Sequence, residues 1–257
     1  MITVTLAQLT TWISQYFWPF VRIAGCIMVA PMIGTSMVPP RMRVILSIAI
    51  TILVAPLIKQ PDAALLSGTS LVITVQQLII GLGMGLAIQL IFDAVVMGGQ
   101  LLANTMGLSF AVNVDPLHGA STPVLGQFYT IIVALTFFGL NGHLMLIDAL
   151  AQSFRMLPLG TQGLGNDGLW TYVHFGSVLF SGALMIALPG LAALLIVNFA
   201  FGVMSRAAPT LNLFAVGFPA SLALGLIIIM MGLPAVQSTF VRLLNTGWQL
   251  LATMLGD

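Results

Sequence analysis

Residues 71–112 decide the fold. The stretch begins with the apolar run LVITVQQLIIGLGMGLAIQLIF (71–92) and continues, with more polar residues, as DAVVMGGQLLANTMGLSFAV (93–112). A helix that crosses a bilayer needs about 20 mainly apolar residues, whereas a continuous helix over this stretch would be ~60 Å long at ~1.5 Å per residue. Because that is about twice a hydrocarbon core of ~30 Å, the sequence predicts a helix that kinks, at Gly98–Gly99, or projects out of the membrane.

Further runs of the same kind fill the rest of the chain. They are Leu9–Met37, Met42–Ile58, Val124–Ile147, Val178–Met204 and Leu211–Leu233, with an amphipathic piece from Val236 to Leu255. The runs are continuous rather than alternating, which argues against β-barrel strands. Only 5% of the residues are charged, against about 25% in a typical soluble domain, so membrane lipid or an apolar partner must cover the surface. The predicted fold class is an all-α membrane protein of long, kinked helices, forming one domain over residues 1–257.

The basic residues give no clear orientation in the membrane. If all six runs span, three cations fall on each side: Arg41, Arg43 and Arg206 on one, and Lys59, Arg155 and Arg242 on the other. The positive-inside rule depends on an asymmetry that this chain lacks. Either some of the runs do not span, or the protein does not sit in the membrane as an ordinary six-helix bundle.

Several function classes find no support in the sequence. A net charge of +1 offers no electrostatic basis for nucleic-acid binding. All six acidic residues are Asp, and the metalloprotease, nucleophile-elbow and P-loop motifs are absent, so we expect no enzyme, no metal and no cofactor. Gly81 and Gly85 form a G-x-x-x-G pair, which predicts close helix packing rather than dinucleotide binding.

A polar stripe follows the apolar start of the long helix. Its members, at spacings of four, seven and four that share one helical face, are Gln89, Asp93, Gln100 and Asn104. Polar residues in an apolar helix usually face a bundle interior or water. The stripe therefore predicts a channel lining or a polar subunit contact, and the alternative is polar contacts between neighbouring helices of one chain.

The segment MGLSFAVN, residues 106–113, follows this stripe and precedes the next apolar run. Hydrophobic constrictions can close a pore by excluding water. We therefore regard the segment as a candidate pore plug, whose residues are Met106, Gly107, Leu108, Ser109, Phe110 and Asn113. The alternative is a turn at the membrane surface that only connects two helices.

Arg206 is the only charged residue between Asp167 and Arg242. It ends a long apolar run and is followed by the helix-breaking Pro209. A charge beside a broken helix at membrane depth needs a protein-lined or water-lined setting. The residue therefore predicts an ion pair with a partner subunit, and the alternative is an ordinary loop arginine at the membrane interface.

These stretches resemble the FliR family of flagellar export gates and its relatives in type III secretion injectisomes. SRAAPTLNLFAVGFP (205–219) matches the family pattern R-x-x-P-x-x-N-x-F-x-x-G-F-P from Arg206 to Pro219, and MGLSFA (106–111) matches its central motif. The matching residues of the late motif are Arg206, Pro209, Asn212, Phe214, Gly217, Phe218 and Pro219. One departure is Thr210, where many relatives carry Gln. The match covers nearly the whole chain, and the GFP triplet at 217–219 favours the flagellar branch.

The resemblance implies a core subunit of the flagellar type III export gate. Such a subunit joins FliP-like and FliQ-like subunits, is wrapped by an FlhB-like subunit and passes unfolded flagellar proteins across the bacterial inner membrane in the basal body. We predict that the polar stripe and the late motif (Arg206, Pro209, Asn212, Phe214 and Gly217) form subunit interfaces, and the resemblance also implies that residues 106–113 block the pore. A gate that stands largely above the membrane plane would explain the missing charge asymmetry. An injectisome subunit, a small-molecule secondary transporter and an intramembrane enzyme remain as alternatives.

Overall fold

The computed structural model describes residues 6–59, 67–108, 124–161, 163–207 and 213–255. These residues form helices and no strand, which confirms the all-α prediction. The helices are α1 (Leu6–Val29), α2 (Pro40–Val54), α3 (Gly68–Thr105), α4 (Val124–Gly139), α5 (Gly142–Met156), α6 (Asn166–Phe175), α7 (Ser177–Ala207) and α8 (Leu213–Leu255). A short 3-10 turn, Ala55–Leu57, extends α2.

Four helical segments of the described chain are long and apolar enough to cross a membrane. They are Pro40–Leu57, Gly68–Thr105, Asn166–Ala207 and Gly217–Met254, and α4 with α5 makes a fifth if the two together form one span. In three of the four, only 22% of the most apolar 18-residue stretch is buried within the protein. Because so much apolar surface is left outside, lipid or other chains must cover it.

Three helix boundaries differ from the sequence-based expectation. The helix of the first run ends at Val29 rather than Met37, and it cannot extend to Met37 because Met32 has a left-handed φ of 66°. The run from Val124 divides into α4 and α5 at Asn141, which has φ 57°. The final two runs are joined, since α8 continues through Pro234; a proline removes one backbone hydrogen bond, and the rest of the ladder can persist.

Contacts between residues divide the chain into two compact units. The first comprises Met1–Leu90, Leu140–Gly176 and Thr246–Asp257, and the second comprises Ile91–Gly139 and Ser177–Asn245. The helices α3 and α8 each contribute to both units. That the whole chain behaves as one domain stays a prediction.

In the first unit, α1 and α3 cross at very short distance and run in the same direction. A Cβ atom added to Gly81 would overlap the carbonyl oxygen of Arg22, and one added to Gly85 would lie 2.5 Å from the carbonyl oxygen of Cys26. Gly81 and Gly85 are one helical turn apart, as are the two α1 residues that they meet. This geometry confirms the packing role predicted for the G-x-x-x-G pair.

The same crossing buries the guanidinium group of Arg22. Its side chain is fully buried, and it donates hydrogen bonds to Gln77 Oε1 (2.7 Å), Ser153 Oγ (3.0 Å) and the carbonyl oxygen of Leu157 (2.8 Å). Its Cζ atom also lies 4.2 Å from the ring centroid of Phe154. One side chain of α1 thus connects α3, α5 and the segment that follows α5.

An aromatic cluster holds the second unit together. The ring of Phe92 meets the rings of Phe137 and Phe240 edge to face, with centroids 5.4 Å and 5.2 Å apart. All three side chains are buried, and they come from α3, α4 and α8 respectively. Edge-to-face pairs of this kind contribute about 0.5–1.5 kcal/mol beyond the area that they bury. In addition, α4 approaches α3 closely at Gly99. The helix α3 continues through Gly98–Gly99 without interruption.

The α1–α3 crossing predicts opposite effects for two neighbouring glycines of α3. Gly81→Ala should lower the free energy of unfolding by about 1–3 kcal/mol, because the new methyl group overlaps backbone that can only move by separating the helices. Gly83→Ala is the matched control, since its Cβ would meet nothing closer than Met254 Cε at 3.9 Å. Alanine there should be neutral or stabilising by up to about 1 kcal/mol. Thermal unfolding of both variants in one detergent measures the difference, and equal behaviour would contradict the close crossing.

Candidate gate segment and subunit-facing residues

The end of α3 is shaped by a glycine. Leu108 N donates to the carbonyl oxygen of Ala103 (3.0 Å) and Gly107 N donates to that of Asn104 (3.1 Å). Gly107 has φ 84°. This is the Schellman arrangement, in which a left-handed residue, most often glycine, satisfies the last carbonyl groups of a helix. The long helix therefore stops at Thr105, and the predicted plug begins in the turn that ends it.

Met106 is anchored in the second unit. Its side chain is 1% exposed, and its Cγ, Sδ and Cε atoms occupy the space where a Cβ atom of Gly225 would lie, at 2.5–2.7 Å from that position. Gly225 belongs to α8, so Met106 ties the end of α3 to α8. Within this chain Met106 fixes the start of the segment and does not project from it.

The remaining plug residues divide into two groups. Gly107 and Leu108 are half-buried. Ser109, Phe110 and Asn113 lie outside the described residues. The structure thus places the first three residues of the predicted plug, Met106 to Leu108, at the end of α3.

The polar stripe of α3 is only partly exposed. Gln89, Asp93 and Gln100 are half-buried, and Asn104 is exposed. Gln89 and Asp93 have interaction partners. The side-chain amides of Gln100 and Asn104 form no hydrogen bond with any described residue, so both are available to water or to another chain.

Arg206 lies in the last turn of α7 and is exposed. A cation in this position interacts favourably with the partial negative charge of the helix C-terminus. Within the part of the chain that the structure describes, it makes neither an ion pair nor a hydrogen bond. The arginine is therefore helical rather than part of a loop, and its guanidinium group can reach a neighbouring chain.

The other residues of the late motif are less fully described. Gly217 is buried in α8. Phe214 lies in the first turn of α8, and its side chain is not described. Pro209 and Asn212 lie outside the described residues.

Sequence reasoning assigned no role to Arg22, which makes three side-chain hydrogen bonds within the first unit. The signal was present, because a basic residue inside an apolar run must find hydrogen-bond acceptors elsewhere. The acceptors themselves are 55 to 135 residues distant along the chain and cannot be recognised from local pattern. Among the described residues, no group of three or more His, Cys or Asp side chains could hold a metal ion.

Taken together, the apolar helices and the outward-facing surfaces define an integral membrane protein that must be covered by lipid or by other subunits.

Comparison with known proteins assigns the family. The family model for bacterial export proteins, family 1, matches residues 13–247. The chain is 35% identical over 257 residues to the flagellar biosynthetic protein FliR of Escherichia coli, covering 100% of this chain and 98% of that one. It is 35% identical over 255 residues to FliR of Pectobacterium carotovorum, covering 99% and 98%. It is also 28% identical over 214 residues to FliR of Bacillus subtilis, covering 82% of each.

The chain belongs to family 1 of the bacterial export proteins, the family of these FliR proteins, and this confirms the resemblance inferred from the motifs. It is a membrane-embedded protein of the flagellar export family.

Proposed function

We propose that this protein is a core subunit of the flagellar type III export gate. It assembles with FliP-like and FliQ-like subunits into the channel through which unfolded flagellar proteins cross the inner membrane, and an FlhB-like subunit wraps the assembly. The complex belongs to the flagellar basal body. The observation that carries this proposal is the similarity to FliR over the full length of the chain.

The surface of the described helices supports an obligate hetero-oligomer. Large apolar side chains of α7 face outward along its length, for example Phe180 (61% exposed), Ile196 (70%) and Phe199 (75%). The helix has apolar residues on more than one face, and only 22% of the most apolar stretch of its span is buried. Neighbouring helices from other subunits would bury this surface, with the exposed Asn104 and half-buried Gln100 supplying hydrogen bonds across the contact.

Co-purification tests the assignment directly. The affinity-tagged chain, expressed from its own genome, should be recovered in a complex with FliP-like and FliQ-like chains. Deletion of its gene should abolish flagellar filaments while general protein secretion continues. Recovery of a stable, well-folded monomer, or filaments on the deletion strain, would contradict the proposal.

Arg206 is proposed to pair with a carboxylate of a neighbouring subunit. The support is its exposure at the end of α7 together with the absence of an ion pair to any described residue. Burial in an interface would make such a pair indispensable, because removing one partner leaves an uncompensated charge. Its role would then be assembly rather than any chemical step.

Arg206→Ala should lower recovery of the intact complex, since loss of one partner of a buried pair costs about 3–5 kcal/mol. Arg206→Lys, which keeps the charge but not the bidentate geometry, should have an intermediate effect. Yield of the complex by size-exclusion chromatography measures both. A variant Arg206→Ala complex that assembles and exports normally would remove the ion pair from the account.

The segment from Met106 to Asn113 is proposed to seal the closed channel. Met106 anchors it against α8, and the glycine-terminated end of α3 directs the chain out of the helix. Leu108 and Phe110 supply apolar bulk that excludes water and ions, while Ser109 and Asn113 keep the segment from packing as a dry core. Soft apolar contacts of this kind can yield to a passing chain more readily than a buried ion pair.

Phe110→Gly should raise the ion permeability of membranes that contain the assembled complex, with depolarisation or slowed growth of cells. The matched control is Met37→Gly, which removes an apolar side chain that is 91% exposed in the loop between α1 and α2. A potential-sensitive dye in energised vesicles measures the leak. If Phe110→Gly assembles and shows no more leak than Met37→Gly, the segment is not the seal.

A further inference from the structure

A cleft in the first unit combines free cations with an apolar lining. It has a volume of ≈ 620 Å³ and lies between the end of α2, with the residues after it, and the second half of α5. Ligand pockets usually measure about 300–1,000 Å³. Its apolar lining includes Leu57, Ile58, Met156 and Pro158, and its cations are Lys59 and Arg155.

Both cations stand at the ends of apolar helices. Lys59 comes two residues after the candidate span Pro40–Leu57, and Arg155 lies in the last turn of α5. Lipid headgroups lie at this level of a membrane, just beyond the hydrocarbon core that a span crosses. If Pro40–Leu57 crosses the membrane, the cleft lies at the level of the headgroups.

Neither cation is neutralised by a described residue. Lys59 and Arg155 are exposed, and neither forms an ion pair or hydrogen bond within the described ranges. The acidic residue of the cleft is Asp148, and its Oδ2 already accepts a hydrogen bond from Gln152 Nε2 at 2.7 Å. One ammonium group and one guanidinium group therefore share the cleft with one carboxylate, which leaves an excess of positive charge.

A third cation stands close behind the cleft wall. Phe154 lines the cleft, and the guanidinium group of Arg22 lies 4.2 Å from the centroid of its ring. The described hydrogen-bond acceptors of Arg22 are all neutral, so its charge is spread over dipoles and not cancelled. The electrostatic potential in the cleft is consequently positive. The charge of Arg22 contributes to it because an apolar wall screens a charge less than water does.

We propose that this cleft binds the headgroup of an anionic phospholipid. Lys59 and Arg155 bind the phosphate group, and Leu57, Ile58, Met156 and Pro158 receive the upper part of an acyl chain. Basic pockets between membrane helices bind anionic lipid headgroups by this combination. A free phosphate ion shares the charge of the headgroup but makes no use of the apolar lining.

Native mass spectrometry of the complex that co-purifies with the tagged full-length chain in neutral detergent tests the proposal, with phosphatidylglycerol and phosphatidylcholine titrated separately. The complex should prefer phosphatidylglycerol. Lys59→Gln and Arg155→Gln should each weaken its binding about fivefold, the effect expected from one cation at a membrane surface. Asp148→Asn should strengthen it.

Arg41→Gln is the matched control, because Arg41 is also exposed and sits at the opposite end of the same span; it should leave the affinity unchanged. Lys59 is exposed and forms no ion pair with a described residue, so replacing its side chain should leave the fold intact. Circular dichroism confirms the fold of each variant.

Three results would overturn the proposal: an equal effect of Arg41→Gln, no effect of Lys59→Gln and Arg155→Gln, or displacement of the lipid by millimolar inorganic phosphate. If the two variants lose the co-purifying subunits but keep the lipid preference, the cleft holds an acidic partner chain instead. Because lipid binding and flagellar export are measured separately, the lipid site can fail while the proposed export role stands, and the reverse.

Discussion

The buried guanidinium group of Arg22 sets the arrangement of the first unit. A charged group removed from water is tolerated only if its hydrogen-bonding capacity is met. Here each of its three nitrogen atoms donates to a neutral acceptor and an aromatic ring lies beside it, and each hydrogen bond to a charged group contributes about 1.5–3 kcal/mol. The acceptors are on α3, on α5 and just beyond α5, so these elements must stay together for the charge to remain buried. The arrangement requires the close α1–α3 crossing, which in turn requires that residues 81 and 85 lack a side chain.

The helix α3 contributes to both units and ends at the proposed gate segment. Its first part, up to Leu90, belongs to the unit that contains Arg22, and its second part belongs to the unit that contains the Phe92 cluster. It ends at a glycine-terminated turn, where Met106 is buried against Gly225 of α8. The segment that follows therefore starts from a position fixed by a long, well-packed helix. A seal that must open needs such a fixed attachment point, because the opening movement is then confined to the residues that follow it.

Local sequence pattern predicted the fold class well because long apolar runs leave few alternatives in a membrane. It also predicted the G-x-x-x-G packing, and the spaced motifs led to the right family. The boundaries were less accurate. The run Leu211–Leu233 and the piece Val236–Leu255 were expected to be separate, but α8 continues through Pro234, and α1 ends at Val29 within an apolar run. Both depend on backbone geometry that composition does not reveal.

The parts that sequence did not predict depend on contacts between distant residues. The acceptors of Arg22 come from three separate segments, and Lys59 and Arg155 meet at one cleft only after α2 and α5 are placed. Met106 was predicted as part of the plug, and its burial against a glycine 119 positions later in the chain could not be read from local pattern. The exposed Arg206 and the available Gln100 and Asn104 agree with subunit-facing roles, which stay predictions.

The most direct measurement is photocrosslinking to a flagellar substrate arrested in the export gate by a stably folded domain at its rear. A crosslinking amino acid would be placed at Leu108 and, as a comparison, at Ile196, which is 70% exposed on α7. If the segment after α3 lines the export path of the assembled gate, position 108 should form a covalent adduct with the arrested chain and position 196 should not. Adducts at position 196 alone, or at neither position in an assembled and blocked gate, would contradict the account.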